Sequence, residues 1–233
     1  MITSEDSIVA TYATRGIDLL VRIILWMVVV VVPIIILTPL MMTCACGGHS
    51  PKHADLQNIR QLGMVLTAVA SDEGGERFPI TKDGRQIATS STDVFTYLYS
   101  IRAFRTTDLV FAPGKGKVKA DLAKIGHFRS ENVGYNYMCA VEDGKVVGVS
   151  MADDDYVPIV WNSGNTPLVI QRSGASDLTL LDTGIWGKAV VNVYYNNNTV
   201  QIKSPRDKSG VVKNFIPPTF VANPNTMYQE LRP

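Results

Sequence analysis

Lys52-His-Ala-Asp-Leu-Gln-Asn-Ile-Arg-Gln-Leu-Gly-Met-Val-Leu-Thr-Ala-Val-Ala-Ser71 is the stretch on which the fold turns. Leu56, Ile59, Leu62, Leu66 and Val69 recur at three- and four-residue steps, the spacing that lines one face of a helix. Asp55, Gln57, Arg60 and Gln61 read as lying off that stripe. The pattern predicts an amphipathic helix over 52–71 that lays its apolar face on a sheet. Gly74-Gly75 is the expected stop, and Phe78-Pro79 opens an irregular connection. A second helix is expected near Thr92-Asp93, with Thr92 as cap and Val94, Tyr97, Leu98 and Ile101 as its stripe.

Beyond this helix the pattern changes to short strands and turns. Candidate strands are Asp108–Phe111, Gly134–Val141, Lys145–Val149, Pro158–Trp161, Leu168–Gln171 and Leu178–Leu181. A hairpin is expected from Lys188–Tyr195 through Asn196-Asn197-Asn198 to Thr199–Lys203. Asparagine suits that turn because it tolerates positive φ, and the formal glycosylation sequon at Asn197 reads as turn chemistry. Residues 211–233 carry Pro217, Pro218, Pro224 and Pro233 and read as an extended tail with one helical turn near Met227. The fold class expected is α+β: an amphipathic helix packed on a small antiparallel β-sheet, preceded by an N-terminal transmembrane helix.

That preceding segment is the other strong signal. No charged residue occurs from Ile23 to Cys46. An apolar run of about 20 residues spans a ~30 Å hydrocarbon core as a helix. The bilayer requires every backbone polar group to be paired, which overrides the poor helix propensity of Val28 to Val32. Pro33 removes one hydrogen bond and predicts a kink. Arg15 and Arg22 precede the run and Lys52 is the first basic residue after it, which places the N-terminus in the cytoplasm. A cleaved signal peptide and a lipoprotein signal at Cys44 or Cys46 are the competing readings. The run is longer than a signal-peptide core, and Met41-Met42-Thr43 is a poor lipoprotein match, so a retained anchor is preferred. The expected organisation is a cytoplasmic tail (1–14), a transmembrane helix (15–46), a juxtamembrane break (47–53), an exported domain (54–210) and the C-terminal tail (211–233).

The chain has 233 residues and is 46% apolar and 18% charged, with 22 basic and 21 acidic residues for a net charge of +1. A near-neutral balance argues against nucleic-acid binding, which leaves a basic excess. Three cysteines do not make a disulfide framework, and three histidines argue against a multi-histidine centre. No Gly-x-Ser-x-Gly elbow is present. A non-enzymatic protein is the expectation.

Asp55-Leu-Gln-Asn-Ile-Arg-Gln-Leu-Gly-Met-Val-Leu-Thr-Ala-Val-Ala-Ser-Asp-Glu-Gly-Gly-Glu-Arg-Phe-Pro79 resembles the helix exit of bacterial pseudopilin-like proteins. The group is the type II secretion major-pseudopilin-like, prepilin-like set of planctomycetes and verrucomicrobia. The matching residues are Asn58, Arg60, Gln61, Leu62, Gly63, Asp72, Gly74, Phe78 and Pro79. Later landmarks are similar too: Leu109-Val-Phe-Ala-Pro113, with Ala112 in place of the group's cysteine; Gly134-Tyr-Asn-Tyr137; Pro158-Ile-Val-Trp161; and the hairpin from Val190 to Val200. The resemblance spans 54–205. The sequence departs from the group at its start. Arg15-Gly-Ile-Asp-Leu-Leu-Val21 only echoes the peptidase site, and Val21 stands where the group carries a glutamate. Asn196 to Asn198 replace its aspartate-glycine-histidine. The resemblance implies a pilin-like fold and a structural role in a secretion or pilus-type assembly.

Two clusters offer metal ligands. Cys44, Cys46, His49 and His53 have a spacing that suits zinc or copper, against the plainer reading of a juxtamembrane linker. Asp153, Asp154 and Asp155 offer oxygen ligands to calcium, against an exposed charged turn. The resemblance favours calcium here, since the group commonly holds it in a loop of the β region. Gly114-Lys-Gly-Lys-Val-Lys119 lacks the Walker spacing and reads as a basic loop able to touch lipid head groups or an acidic partner. Cys139 reads as a small buried apolar residue on a strand.

Together these readings predict a single-pass protein of the inner (cytoplasmic) membrane with its C-terminal domain periplasmic or extracellular. It would act as a pilin-like or pseudopilin-like subunit that contacts the bilayer, copies of itself or other secretion subunits. The alternative is a membrane-tethered binding module, for metal, glycan or an envelope protein, that does not assemble.

Overall fold

A computed structural model describes residues 50–72, 76–114, 116–121 and 126–233. The expected tail, the membrane span and residues 47–49 of the juxtamembrane break, with Cys44, Cys46 and His49 among them, lie outside the described residues. Among the described residues, no helix is long and apolar enough to cross a membrane.

The first helix, α1, runs Pro51–Asp72. Proline suits its first position, where the missing N–H has no intrahelical partner to lose. The second, α2, runs Ser91–Ser100. Its cap is Ser90 rather than Thr92: the Ser90 hydroxyl accepts the Asp93 N–H at 3.2 Å. Asp93 in turn accepts the N–H and hydroxyl of Thr89.

Eight strands follow: β1 Tyr135–Glu142, β2 Lys145–Gly148, β3 Pro158–Asn162, β4 Ser176–Thr179, β5 Val191–Tyr195, β6 Val200–Lys203, β7 Val211–Ile216 and β8 Thr226–Leu231. All pairings are antiparallel. β1 lies between β8 on one side and β2 and β3 on the other, and the sheet continues through β5 to β6. β4 and β7 form a separate two-stranded ribbon. The β1–β2 connection is the two-residue turn Asp143-Gly144, with positive φ at both positions, which matches the twist of a tight hairpin. In the β5–β6 turn Asn198 takes φ +60°, as its side-chain chemistry anticipates.

Side chains alternate across the strands, so each face has its own cover. Tyr135, Asn162, Asn192 and Tyr194 turn toward α1, where they meet Asp55 and Thr67. Trp161 and Tyr195 turn the other way, onto Phe215 of β7, with ring centroids 6.4 and 6.3 Å away. Cover on both faces explains why β3 and β5 are buried at every position.

Three expectations fail. Asp108–Phe111 is not a strand: a 3₁₀ turn occupies Thr107–Leu109, started by the Thr106 hydroxyl accepting the Asp108 N–H. Leu168–Gln171 joins no ladder: the Leu168 N–H goes to the Glu230 carboxylate, and Val169 is exposed. Residues 211–233 are not a tail, for they hold β7 and β8, and residues 226–231 extend as a strand rather than turning helically. The prolines that suggested a tail, Pro217, Pro218 and Pro224, fall in the connection between those strands, where they interrupt no ladder.

Candidate functional site

The most constrained polar cluster joins α1 to the sheet. The stripe on α1 buries Ile59, Leu62 and Leu66, as the spacing predicted, with Gly63 and Ala70 beside them. It also buries Asp55, which has 0% of its surface exposed. Four residues before Ile59, Asp55 is in register with the stripe and not off it.

Its carboxylate is surrounded by donors. Oδ1 accepts the Tyr135 hydroxyl at 2.7 Å. Oδ2 accepts the Asn162 amide at 2.8 Å, the Trp186 indole N–H at 2.8 Å and the Asn192 amide at 2.7 Å. Asn162 also accepts the Asn192 backbone N–H at 2.7 Å, and the Asn192 amide reaches the carbonyl of Lys52 at 3.3 Å. Burial, and then the neighbouring Asp55, hold the Tyr135 hydroxyl well above the ordinary tyrosine range. An acceptor with this many short contacts holds three strands and a loop to one turn of helix. No solvent reaches Asp55, so this is a clamp and not a surface for substrate.

The clamp has a second half further along α1. A Cβ on Gly63 would stand 2.2 Å from the Tyr194 ring, so only glycine lets helix and ring approach this closely. The Tyr194 hydroxyl meets the Thr67 hydroxyl at 3.0 Å and Asn198 Oδ1 at 2.5 Å, which ties α1 to the β5–β6 turn. Asn58 donates to the carbonyl of Asp108 at 2.9 Å and so holds the segment that carries Ala112. Ala112 packs on Gly134, where an added Cβ would come within 2.4 Å of it. Phe78 is buried, and the Pro79 carbonyl accepts the Tyr137 hydroxyl at 2.7 Å. Asn58 and Gly63 thus fasten α1 to its neighbours, whereas Phe78 and Pro79 meet Val149 and β1, and Ala112 and Gly134 pack on each other.

The sequence reading missed Asp55, Asn162, Trp186 and Asn192 as a set. Asn162 and Asn192 carried a signal, a polar residue in an otherwise apolar buried strand. Trp186 lies in the loop Gly184-Ile-Trp-Gly187 and carried none.

The aspartate triplet is placed differently. Asp153 accepts the Ser150 N–H at 3.0 Å, and Asp154 accepts the N–H groups of Tyr156 and Val221 at 2.8 and 3.2 Å. Asp155 is exposed, and its carbonyl accepts the Asn197 N–H at 3.1 Å. Burial pushes the Asp153 carboxyl up, against the opposing pull of its Ser150 hydrogen bond. The Asn196 amide fills the inside of this loop, 3.1 and 2.9 Å from the carbonyls of Ser150 and Asp153 and 3.5 Å from those of Met151 and Asp154. Among the described residues, no three of His, Cys, Asp or Glu come together to hold a metal. His53 is exposed on α1. Cys139 is buried on β1, its thiol pushed up to about 11 by burial.

No family model, curated protein or solved structure matches the chain.

Proposed function

We propose that this chain is a non-catalytic, membrane-anchored structural subunit of pilin or pseudopilin type. Its apolar N-terminal segment would hold it in the inner membrane. The body from Ser50 onward would lie outside the cytoplasm and contact like subunits or other secretion components. The observation that carries this reading is the clamped helix. α1 begins within nine residues of the apolar run, whose last residue is Met42, and is fixed to the sheet by Asp55 at one end and by Gly63, Thr67 and Tyr194 beyond. A helix held at several points transmits load from an anchor to the body without unfolding locally. The polar face of α1, with Arg60, Gln61 and Met64 exposed, remains free for neighbours among the described residues.

Disulfide crosslinking in cells tests this. Gln61→Cys and Met64→Cys variants of the full chain should give multimers above the monomer band under oxidising conditions, and an intact mass should show whether residues before Ile17 are removed. Monomers alone from both variants would refute assembly. They would favour the membrane-tethered binding module that does not assemble.

A further inference from the structure

The C-terminal end of α2 breaks a local rule. The Ala103 N–H bonds to the Leu98 carbonyl at 2.9 Å and the Arg102 N–H to the Tyr99 carbonyl at 3.0 Å. This is the paired closure that usually places glycine, in left-handed conformation, just past the helix end. Here the residue is Arg102, with φ +61°. A side chain at that position strains the backbone, and such strain is kept where the side chain has work to do.

Arg102 lines a hollow of about 550 Å3 with Thr96, Tyr99, Ser100, Phe104 and Arg105. That volume falls in the range of small-molecule sites. Among the described residues, neither guanidinium has an ion-pair partner and none that lines the hollow is acidic. One wall is aromatic: the rings of Tyr99 and Phe104 lie 5.8 Å apart, braced by Phe128 at 5.5 and 6.4 Å. The Thr96 hydroxyl accepts the Phe128 N–H and the Ser100 hydroxyl donates to Tyr97, so Thr96 retains a donor and Ser100 an acceptor lone pair.

We infer that this hollow binds an acidic saccharide: a sugar ring against Tyr99 and Phe104, its carboxylate, sulfate or phosphate between Arg102 and Arg105. Two planar guanidinium forks match the geometry of such oxyanions, the hydroxyls suit a polyol, and the cavity is larger than a bare anion needs. This site is independent of filament assembly.

The test is calorimetric titration of the detergent-extracted full-length chain with a glucuronate-containing oligosaccharide, a neutral glucose oligomer of equal length and inorganic sulfate. The acidic oligosaccharide should bind at least about tenfold more tightly than either control and weaken as salt rises. Arg102→Gly, whose glycine suits the left-handed position, should melt no lower than the parent yet lose binding by about tenfold or more, as should the exposed Arg105→Gln. Equal affinity for sulfate alone, unchanged affinity in both variants, or no binding of the acidic oligosaccharide would overturn the inference.

Discussion

Replacing Asp55 separates a clamp from an ordinary buried residue. Asp55→Ala leaves the Tyr135 hydroxyl, the two asparagine amides and the Trp186 N–H without their acceptor in a place no solvent reaches. Each stranded donor costs about 1–3 kcal/mol, and the loss is offset in part by no longer burying a carboxylate. A net loss of about 3–5 kcal/mol follows, or about 6–20 °C in melting temperature for a body of this size. Asp55→Asn should behave differently. Three of the four donors converge on Oδ2, where an amide oxygen can stand. The fourth partner, on Oδ1, is a hydroxyl, which can accept from the new amide instead of donating. The swap then exchanges a charged acceptor for a neutral one at about 1–2 kcal/mol. Urea denaturation of the full-length chain in detergent, followed by tryptophan fluorescence, reads both changes. If Asp55→Ala loses less than about 1 kcal/mol, or if Asp55→Asn is as damaging as Asp55→Ala, the carboxylate does not hold the helix as described.

Gly63→Ala puts a methyl group into the Tyr194 ring and should lower stability by about 2–4 kcal/mol, with Gly63→Ala/Tyr194→Leu recovering part of it in a double-mutant cycle. Asn196→Ala strips the loop from Ser150 to Asp154 of its central donor; faster amide exchange confined to that loop is the expected signature, and uniform exchange across the sheet would count against it. Lys203 is half-buried over the rings of Tyr195 and Phe215, its amine 3.0 and 2.8 Å from the carbonyls of Asn214 and Phe215, and burial lowers its pKa to about 8. The folded state then holds this proton more weakly than the unfolded chain does, so the wild type should gain stability relative to Lys203→Met as pH rises from about 8 toward 10.5, the opposite of a lysine paired with a carboxylate. A difference that stays flat over that window would show that the amine titrates normally.

What could be read from the sequence was whatever repeats along one element. The α1 stripe, the short, largely apolar runs of β1, β3 and β5, and the asparagine turn after Tyr195 all report on neighbours a few residues away. What could not be read was set by partners far along the chain. Asp55 looked like a surface charge until Trp186 and Asn192, more than a hundred residues later, were placed around it. Leu168–Gln171 has strand composition, but Glu230 takes the Leu168 N–H. β8 has Met227 exposed and Tyr228 partly buried, too mixed an alternation to announce a strand, and its pairing partner β1 lies some ninety residues earlier. The arginine-lined hollow has a local cause but a weak sequence signature, since an arginine after a helix reads as ordinary dipole chemistry.

The order of synthesis runs against the order of the sheet. β8, the last strand among the described residues, seals the flank of β1, the first among them, and the Arg232 carbonyl takes the N–H of Ser91 at the head of α2. Until β8 is in place, β1 has a raw border and α2 is untied. A truncation that removes the residues from Thr226 onward would therefore take out a keystone rather than an appendage.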